Sequence, residues 1–334
     1  MRRLSIIVVA FNERKHISRL KASFDALVLD DDVEVETLLM DGGSTDGTVE
    51  HAHALGFTKV AVLPGANIPV CRNAGNRCAT GDWIAHVDAD CELSPEWLKA
   101  ARPFLEGQTP TVMGWPVAPP EEGTWVERTW HTHWIHKNLL LVEEEGREVV
   151  RSEAFRLITT RNLVMNREIP EVLDGFDEEL PTGEDTDFVF RAYQRGIRVL
   201  AVPDLRVIHY GEPKTLRAFY RQQLWHANRS SYTKIMRESH AQTGGNAPKF
   251  TALYLLTAGF LLAGIILGAV TKNPWWLVST LPWTGLVGLP AAWICIKARR
   301  PGRFLQLCIL YAAYGLARSL DLLGFYRHKQ SWKS

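Results

Sequence analysis

Two long stretches in the last third of this 334-residue chain carry no charged residue, and they restrict its fold more than any other feature. They cover residues 250–270 and 275–296. A helix of about 20 apolar residues crosses the hydrocarbon core of a bilayer, so both lengths predict membrane-spanning helices. Because only four residues separate the stretches, we expect an antiparallel helical hairpin. Buried helices of a soluble protein are the competing interpretation.

Basic residues dominate this part of the chain. From Phe250 onward nine lysines and arginines accompany one acidic residue, whereas residues 1–249 carry 29 basic and 36 acidic residues. By the positive-inside rule, the basic loop at 297–303 lies in the cytoplasm. Two crossings return the N-terminal part to the same side, which predicts an integral protein of the cytoplasmic membrane. The acidic balance of residues 1–249 argues against nucleic acid as a partner.

A third apolar stretch, residues 304–326, contains Arg318 and Asp321 three positions apart. On a helix these two side chains share a face, so they can pair inside a helical bundle. The stretch therefore either spans the membrane or lies in its interface. If it spans, the basic tail at 327–334 lies outside, against the positive-inside rule. The sequence thus predicts a membrane domain at 250–326 with two or three helices.

Residues 1–240 show a different pattern, in which short β-branched runs alternate with amphipathic segments. The predicted strands cover residues 4–9, 33–40, 59–63 and 83–87, and the predicted helices cover residues 16–27, 49–55 and 69–79. Alternating strands and helices predict an α/β fold, with a mostly parallel sheet that has helices on both faces. We expect this domain to occupy residues 1–240, and a linker at 241–249 to join it to the membrane domain.

Acidic and glycine-rich residues follow three of the predicted strands. Glu13 follows the first strand, Asp41 the second, and Asp88 and Asp90 the fourth. Ligands bind beyond the carboxyl ends of the strands in such sheets, so these residues mark a candidate site. The chain has no G-x-G-x-x-G after its first strand and no P-loop motif, which disfavours dinucleotide and P-loop chemistry. Carboxylates two residues apart suit a divalent cation bound with phosphates, although turns are also rich in aspartate.

Several short motifs resemble, in their order, those of family 2 glycosyltransferases with the GT-A fold. They are VVAFNE at 8–13, DGGSTDGT at 41–48, RNAG at 72–75, GDWIAHVDAD at 81–90, TRN at 160–162, GFDE at 175–178 and GEDTD at 183–187. The resemblance covers about residues 4–210. It implies a Rossmann-like GT-A catalytic domain that transfers a sugar from a nucleotide-sugar donor, with UDP the favoured nucleotide.

The resemblance also implies roles for residues in the first motifs. Glu13 and Asp41 would contact the base and the ribose of the donor, and Arg72 would contact the base or the diphosphate. Asp88 and Asp90 match the Asp-x-Asp motif, which binds the ribose and a metal ion with the pyrophosphate. Mg²⁺ or Mn²⁺ is the implied cofactor.

The same resemblance implies that catalysis depends on the GEDTD motif. Asp185 matches the general base, and Glu184 beside it is assigned to the donor-binding residues. A carboxylate at Asp185 can take the proton of the acceptor hydroxyl as that hydroxyl attacks the anomeric carbon with inversion. A divalent cation stabilises the charge that grows on the departing diphosphate. An acidic helix N-terminus is the competing interpretation of the motif, and both can hold together.

Two other features leave alternatives open. His209 is either a functional residue, as a third metal ligand beside Asp88 and Asp90 or as a phosphate contact, or a structural histidine. The segment 125–136 is rich in tryptophan and histidine. It either packs in the protein interior, stacks on a sugar or contacts the bilayer surface.

One motif departs from the pattern of processive polysaccharide synthases in this family. Those enzymes carry Gln-x-x-Arg-Trp after the base, whereas residues 221–225 read RQQLW, with Leu224 where the arginine belongs. Two or three membrane helices are also few for lining a polymer pore. Transfer of a single sugar is therefore favoured.

A catalytic domain tied to the membrane predicts an acceptor in the membrane. The leading hypothesis is transfer of one sugar to a lipid-linked saccharide in exopolysaccharide or cell-surface glycan assembly. The first alternative is transfer to polyprenyl phosphate, an anionic acceptor for which Arg128, Arg147, Arg151 and Arg156 could form the pocket. The second alternative is a non-catalytic, membrane-anchored scaffold that binds nucleotides.

Overall fold

The computed structural model describes residues 1–107, 109–138, 157–180, 182–226 and 246–324. They form two compact units. The first comprises Met1–Glu121 and Leu140–Glu212, and the second comprises Glu122–Leu139 and Pro213–His328, each as far as its residues are described. Arg147, Arg151, Arg156 and the basic tail at 327–334 lie outside the described residues.

The strands are numbered in chain order. They are β1 (Arg2–Ala10), β2 (Val33–Asp41), β3 (Lys59–Val62), β4 (Trp83–Asp88), β5 (Cys91–Leu93), β6 (Thr111–Gly114), β7 (Leu163–Asn166), β8 (Arg198–Ala201) and β9 (Val207–His209). All of them belong to the first unit.

The helices are numbered in the same way. They are α1 (Arg14–Asp25), α2 (Thr48–Ala54), α3 (Ile68–Cys78), α4 (Trp97–Leu105), α5 (Trp125–Asn138), α6 (Ile169–Val172), α7 (Glu184–Gln194), α8 (Leu216–His226), α9 (Asn246–Thr271), α10 (Leu281–Lys297) and α11 (Phe304–Leu322). Every strand and helix predicted for residues 4–87 is present, and its ends differ from the prediction by at most two residues.

The main sheet of the first unit has the strand order β3-β2-β1-β4-β7-β6-β8. Parallel pairs join β1 to β2 and β4, β2 to β3, and β6 to β8. Strand β7 is the exception, since it runs antiparallel to β4 and to β6. The predicted α/β fold with a mostly parallel sheet is therefore confirmed.

Side chains of β1 alternate between two hydrophobic clusters on opposite faces of the sheet. Leu4, Ile6 and Val8 belong to one cluster together with residues of α1 and α4. Ile7 and Val9 belong to the other, together with residues of α3 and α7. A strand buried on both faces needs a continuous apolar run, which explains the β-branched sequence of this segment.

The strand register brings the polar strand ends to one edge of the sheet. Ala10 at the end of β1 is paired with Asp41 of β2, and Val9 is paired with Asp88 of β4. A separate two-stranded antiparallel sheet pairs β5 with β9 and sets Cys91 opposite His209. His209 therefore lies next to the Asp-x-Asp turn that precedes β5.

Two segments of the second unit are long and apolar enough to cross a membrane. They are Lys249–Thr271, with a mean hydropathy of 2.3, and Pro274–Lys297, with a mean hydropathy of 1.3. Only 17% of the most apolar 18-residue window of each is buried, whereas the core helix of a soluble protein is mostly buried. Within the described residues α11 does not meet the same criteria, and it ends at Leu322 rather than at residue 326.

The second predicted spanning helix, residues 275–296, is not one continuous α-helix. Its first part is a 3₁₀-helix, Pro274–Thr280, and the α-helix α10 begins only at Leu281. Pro282 lies in the first turn of α10. Proline lacks an N–H and is favoured at that position, so it starts the α-helix there.

Two helices from before residue 240, α5 and α8, belong to the second unit together with the C-terminal helices. Val126 of α5, Phe219 of α8 and Leu310 of α11 form one buried cluster. The ring of Trp130 stacks on His133, whose Nδ1 lies 2.7 Å from the Tyr311 hydroxyl. Packing within the second unit thus accounts for these two residues of the tryptophan- and histidine-rich segment.

Candidate active site

Hydrogen bonds between two loops fix the ends of β1 and β2. The Asn12 N–H donates to the Ser44 hydroxyl at 2.7 Å, and the Thr45 N–H donates to Asn12 Oδ1 at 2.9 Å. The Glu13 N–H donates to the Thr48 hydroxyl at 2.9 Å. Asn12 has a φ of +60°, a left-handed conformation that asparagine tolerates better than most residues. The loops therefore present a fixed surface at this edge of the sheet.

The buried Asp41 carboxylate closes the second of these loops. Its Oδ1 accepts hydrogen bonds from the N–H groups of Gly43 and Ser44 at 2.8 and 2.6 Å, and its Oδ2 accepts one from the Ser44 hydroxyl at 2.5 Å. Gly43 has a φ of +100°, which a side chain would strain. Asp41 thus shapes the loop, and its contact with a donor stays a prediction.

Glu13 directly precedes α1 and lies close enough to Asp90 of the Asp-x-Asp turn to feel its charge. Its Oε2 lies 2.6 Å from His16 Nδ1. Burial raises the pKa of Glu13, and the charge of the nearby Asp90 raises it further, against the opposing effect of His16. The carboxylates of Glu13, which follows β1, and Asp90, which follows β4, are therefore close enough to repel each other. A bound cation would offset this repulsion.

Arg72 joins two acids from distant parts of the chain. It lies on α3, whose first turn is capped by the Asn67 side chain, and it is buried. One guanidinium nitrogen, Nη2, donates to Asp88 Oδ1 at 3.0 Å, and the other, Nη1, donates to Glu184 Oε1. Burial raises the pKa of Glu184 to about 7, an effect that exceeds the lowering by Arg72.

Asp185 lies in the first turn of α7, next to this network. Gly183 caps the helix with a φ of +81°, and the Asp185 Oδ1 accepts a hydrogen bond from the Thr186 N–H at 2.7 Å. Asp187, two residues further along in the same first turn, accepts a hydrogen bond from Arg191 at 2.8 Å. The acidic helix N-terminus favoured by the helix dipole is therefore present, and the half-buried Asp185 lies within it.

His209 sits at the centre of a chain of charged groups. Its Nε2 lies 3.1 Å from Asp90 Oδ1, and its Nδ1 lies 3.2 Å from Glu212 Oε1. Arg161 donates to the same Glu212 oxygen at 2.6 Å. Burial lowers the pKa of His209, but Asp90 and Glu212 together raise it to about 9.

Arg161 and Glu212 were not among the predicted site residues. Although burial lowers the pKa of Arg161, the charges of Glu212, Asp88 and Asp185 hold it above the ordinary value. Arg161 therefore lies close to both the predicted metal turn and the predicted base. The TRN motif at 160–162 was a signal for it, whereas Glu212 follows His209 with no motif around it.

The arrangement of these groups fits a divalent cation. Ligand atoms of Asp90, Cys91 and His209 lie within 4.8 Å of one another. Burial raises the pKa of the Cys91 thiol well above its ordinary value, so the thiol stays protonated at neutral pH and the Asp90 carboxylate and the His209 imidazole are the candidate ligands. A cation would have to displace the ring proton of His209, because Asp90 and Glu212 favour the protonated imidazole. A Cβ on Gly211 would lie 1.9 Å from Asp90 Oδ2, so only glycine leaves room there. Mg²⁺ and Mn²⁺ favour such oxygen ligands, with an imidazole tolerated.

The structure thus brings together the predicted residues from four segments of the chain. Contacts or direct charge effects link Glu13 to Asp90, and Arg72 to Asp88 and Glu184. Asp88, predicted as a metal ligand, is paired with Arg72 and does not belong to the group of candidate ligands found among the described residues.

Comparisons with known proteins identify the family of the first unit. The family model described as Glycosyl transferase family 2 matches residues 5–169. Glycosyltransferase AglE of Haloferax volcanii is 23% identical over 322 residues, which cover 90% of this chain and 94% of that protein. The uncharacterized glycosyltransferase YibD of Escherichia coli is 33% identical over 97 residues, which cover 28% of this chain and 27% of that protein.

Two solved structures share the fold. The mannosyltransferase PcManGT from Pyrobaculum calidifontis, in complex with GDP-Man and Mn²⁺, aligns with a TM-score of 0.58 and 17% identity over 96% of this chain and 87% of that one. TarS 1–349 of S. aureus, in complex with UDP-GlcNAc, aligns with a TM-score of 0.51 and 19% identity over 96% of this chain and 92% of that one. Through the domain matched at residues 5–169, the chain belongs to glycosyl transferase family 2 and is a glycosyltransferase.

Proposed function

We propose that this glycosyltransferase moves one sugar, with inversion, from a nucleotide-sugar donor to a lipid-linked saccharide in the membrane. The observation that carries the proposal is the pair of hydrogen bonds that Arg72 donates. One goes to Asp88 in the Asp-x-Asp turn, and the other goes to Glu184 at the acidic start of α7. The proposed general base, Asp185, follows Glu184 directly in the chain. One cleft then has a donor site on one side and a proton acceptor on the other.

The donor is a nucleoside diphosphate sugar in this proposal. PcManGT is described in complex with GDP-Man and Mn²⁺, and TarS in complex with UDP-GlcNAc. Both complexes support a nucleotide-sugar donor for this chain, and the choice between UDP and GDP is left to experiment. We propose Glu13 and Asp41 as contacts of the nucleoside and Arg72, supported by Glu184, as a contact of the diphosphate.

We propose Asp90 and His209 as ligands of Mn²⁺ or Mg²⁺, with Asp88 close by. When bound, the cation neutralises the charge that develops on the departing diphosphate. Asp90 and His209 hold its position because they belong to adjoining elements, the turn before β5 and the end of β9. Cys91, beside them, stays protonated and apolar because of its burial.

Asp185 takes the proton of the acceptor hydroxyl in the proposed reaction. As the hydroxyl oxygen bonds to the anomeric carbon, the bond from that carbon to the diphosphate oxygen breaks on the opposite face, which inverts the configuration. The Asp185 Oδ1 already accepts the Thr186 N–H, so the carboxylate is oriented before the acceptor arrives. Pre-orientation of this kind lowers the barrier because no reorganisation is needed during the reaction.

The C-terminal helices support an acceptor in the membrane. Two helices have the length and composition to span, and their most apolar windows are largely exposed. We propose an integral protein of the cytoplasmic membrane with the basic loop at 297–303 and the catalytic unit on the cytoplasmic side. Direct transfer to polyprenyl phosphate is the second candidate reaction, and three of its four predicted arginines lie outside the described residues.

A donor screen tests the proposed function. The full chain, purified in detergent, is incubated with UDP-, GDP- and dTDP-sugars and Mn²⁺, and release of nucleoside diphosphate is measured. We expect turnover of one donor, its loss on chelation of the metal, and a decrease of at least about 100-fold in the Asp185→Asn variant.

Asp174→Asn is the matched control for this screen. It makes the same chemical change at an exposed residue with a φ of +56°, which asparagine also tolerates. It should keep wild-type activity. Donor binding without turnover in the presence of a membrane lipid extract would contradict the proposal and favour a non-catalytic scaffold.

A further inference from the structure

The backbone around His209 is fixed by hydrogen bonds. The His209 N–H donates to the Ala118 carbonyl at 2.8 Å, and the N–H of the next residue, Tyr210, donates to the Asp90 carbonyl at 2.9 Å. Across the β5–β9 pair His209 lies opposite Cys91. The fold therefore sets the position of the His209 backbone, and only the rotation of the imidazole about its side-chain bonds remains to be set.

Each ring nitrogen of His209 faces a different carboxylate. Nε2 lies 3.1 Å from Asp90 Oδ1, and Nδ1 lies 3.2 Å from Glu212 Oε1. A carboxylate accepts hydrogen bonds and has no proton to donate, so Glu212 accepts the hydrogen bond from the Nδ1–H. Nε2 is then the ring nitrogen on the side of Asp90, the other candidate metal ligand.

The Glu212 carboxylate is itself held in place. Arg161 Nη1 donates to the same Oε1 atom at 2.6 Å, and Arg161 Nε donates to the Thr159 hydroxyl at 3.3 Å. The side chains of His209 and Glu212 are only 9% and 18% exposed. Charged hydrogen bonds that are shielded from water are stronger than exposed ones, so this pair fixes the imidazole better than a surface ion pair would.

The glycine between the two residues leaves space on the Nε2 side of the ring. A Cβ on Gly211 would lie 3.1 Å from His209 Nε2 and 1.9 Å from Asp90 Oδ2. Any larger residue would therefore crowd both candidate ligand atoms. Glu212 thus occupies one side of the imidazole, and the candidate ligand atoms lie on the other.

We propose that Glu212, fixed by Arg161, is a positioning residue that selects Nε2 of His209 as the ligand atom for the divalent cation. The inference rests on the proposed function, which assigns Asp90 and His209 to the metal. Glu212 acts through the imidazole and is not itself a ligand. Loss of such a partner of a metal-binding histidine weakens metal binding by about 10- to 100-fold.

Binding of Mn²⁺ alone to the metal-free full chain in detergent tests this role. Affinity is measured by electron paramagnetic resonance. We expect Glu212→Ala to bind Mn²⁺ at least about tenfold more weakly than wild type. Glu212→Gln should stay within about threefold of wild type, because its amide oxygen still accepts the Nδ1–H. Equal affinities of wild type and Glu212→Ala would overturn the inference.

Glu106→Ala is the matched control. It removes a carboxylate that also contacts an arginine, Arg102, at 2.8 Å, but that lies outside the candidate site. It should leave the Mn²⁺ affinity unchanged. An equal loss in this control would overturn the inference, because the effect would then not depend on the contact with His209.

A spectroscopic measurement separates positioning from a general loss of stability. In protein whose histidines carry ¹⁵N only at Nε2, pulsed electron paramagnetic resonance should detect a direct ¹⁵N coupling to Mn²⁺ in wild type and in Glu212→Gln. The coupling should be lost in Glu212→Ala and in His209→Ala. Its absence from wild type, or its persistence in either alanine variant, would overturn the inference.

Glu212→Asp takes the place of Glu212→Ala if the alanine variant does not fold. Its carboxylate still balances the charge of Arg161, but the side chain is one methylene shorter and cannot hold both Arg161 and the Nδ1–H. The same loss of Mn²⁺ affinity and of the Nε2 coupling is expected. Wild-type values for both would overturn the inference.

The outcomes separate this inference from the proposed function. A chain that binds Mn²⁺ through Nε2 only when Glu212 is present, but releases no nucleoside diphosphate from any donor, would contradict the proposed function alone. A chain that turns over a donor with Mn²⁺, and whose Glu212→Ala variant keeps the Nε2 coupling, would overturn the positioning role alone.

Discussion

Arg72 is the residue on which the geometry of the candidate active site depends most directly. The residue is 4% exposed, and its guanidinium lies between the Asp88 and Glu184 carboxylates. Buried charges of one sign require a partner, and removing one member of such a group leaves the others uncompensated. Asp88 belongs to the predicted metal turn and Glu184 adjoins the predicted base, so loss of Arg72 disturbs both.

Replacing Arg72 should therefore affect folding stability and donor binding together. We expect Arg72→Leu to lower the free energy of unfolding by about 3–5 kcal/mol, because the buried Glu184 carboxylate and the half-buried Asp88 carboxylate lose their partner. Arg72→Lys should keep most of the stability and still weaken donor binding at least about tenfold, because an ammonium cannot reach both acids in the fork geometry. Denaturant unfolding measures the stability of both variants, and donor titration measures their affinity for the donor. Wild-type donor affinity in Arg72→Lys would contradict a role at the donor.

The ionisation of Glu184 predicts a pH dependence of stability. Burial raises its pKa from 4.5 to about 7, so its contribution is complete below pH 4.5 and is lost as the pH rises through 7. Relative to Glu184→Gln, which cannot titrate, the unfolding free energy of wild type should fall by on the order of 3 kcal/mol across this window. Thermal unfolding of both proteins from pH 4.5 to 8 measures the difference. Parallel pH profiles would show that Glu184 is ionised throughout.

Some site residues could be predicted from the sequence and others could not, for a physical reason. Asp41, Asp88 and Asp185 stand in motifs whose local spacing is informative. Arg161 and Glu212 owe their positions to a contact across 51 residues, which no local spacing reports.

At the scale of elements, the short β5–β9 sheet places the candidate metal ligands. Cys91 and His209 are opposite each other in this strand pair. Gly211 follows β9, and it lies so close to Asp90 that an added Cβ would clash with the carboxylate. Strands of three residues have too little sequence to predict, so this pairing was not foreseen. By contrast, the longer strands and helices of residues 4–87 were predicted from their apolar periodicity.

Gly211→Ala tests the placement of Asp90. The new Cβ would lie 1.9 Å from Asp90 Oδ2, so the carboxylate must move and the affinity for Mn²⁺ should fall at least about tenfold. Mn²⁺ binding is measured by electron paramagnetic resonance. Gly107→Ala is the control, since a Cβ there meets its nearest atom at an ordinary 3.4 Å. Equal affinities of the two variants would exclude Asp90 as a ligand.

Two other element-scale features depended on tertiary structure. The antiparallel strand β7 is set by pairing with β4 and β6, which lie far from it in sequence. The 3₁₀ segment before α10 ends where Pro282 lies in the first turn of the α-helix, whereas the sequence pattern predicted one helix over residues 275–296.

The whole molecule combines an acidic α/β unit with a basic helical unit. Its charge asymmetry was evident from the sequence, and so were the two apolar segments that meet the length and composition of membrane spans. The sequence did not show that α5 and α8 group with the C-terminal helices, because this grouping depends on the buried cluster that contains Phe219 and Leu310. Amphipathic helices do not reveal in sequence which partner they pack against.

The proposed membrane topology predicts the sidedness of two loops. In intact bacterial cells, a membrane-impermeant maleimide should label a Lys272→Cys variant, because the short link between the two spans lies outside. An Arg299→Cys variant should be labelled only after the cells are permeabilised, because its loop is cytoplasmic. Labelling of both variants, or of neither, in intact cells would contradict the hairpin topology.

Transfer of radiolabelled sugar into membrane lipid tests the central claim most directly. The full chain, with the donor identified by the screen and Mn²⁺, is incubated with a membrane lipid extract, and the labelled lipid is analysed for the configuration of the new glycosidic bond. We expect a lipid product with inverted configuration from wild type and from Asp174→Asn, and about 100-fold less from Asp185→Asn. A product with retained configuration, or full activity in Asp185→Asn, would contradict general-base catalysis by this residue.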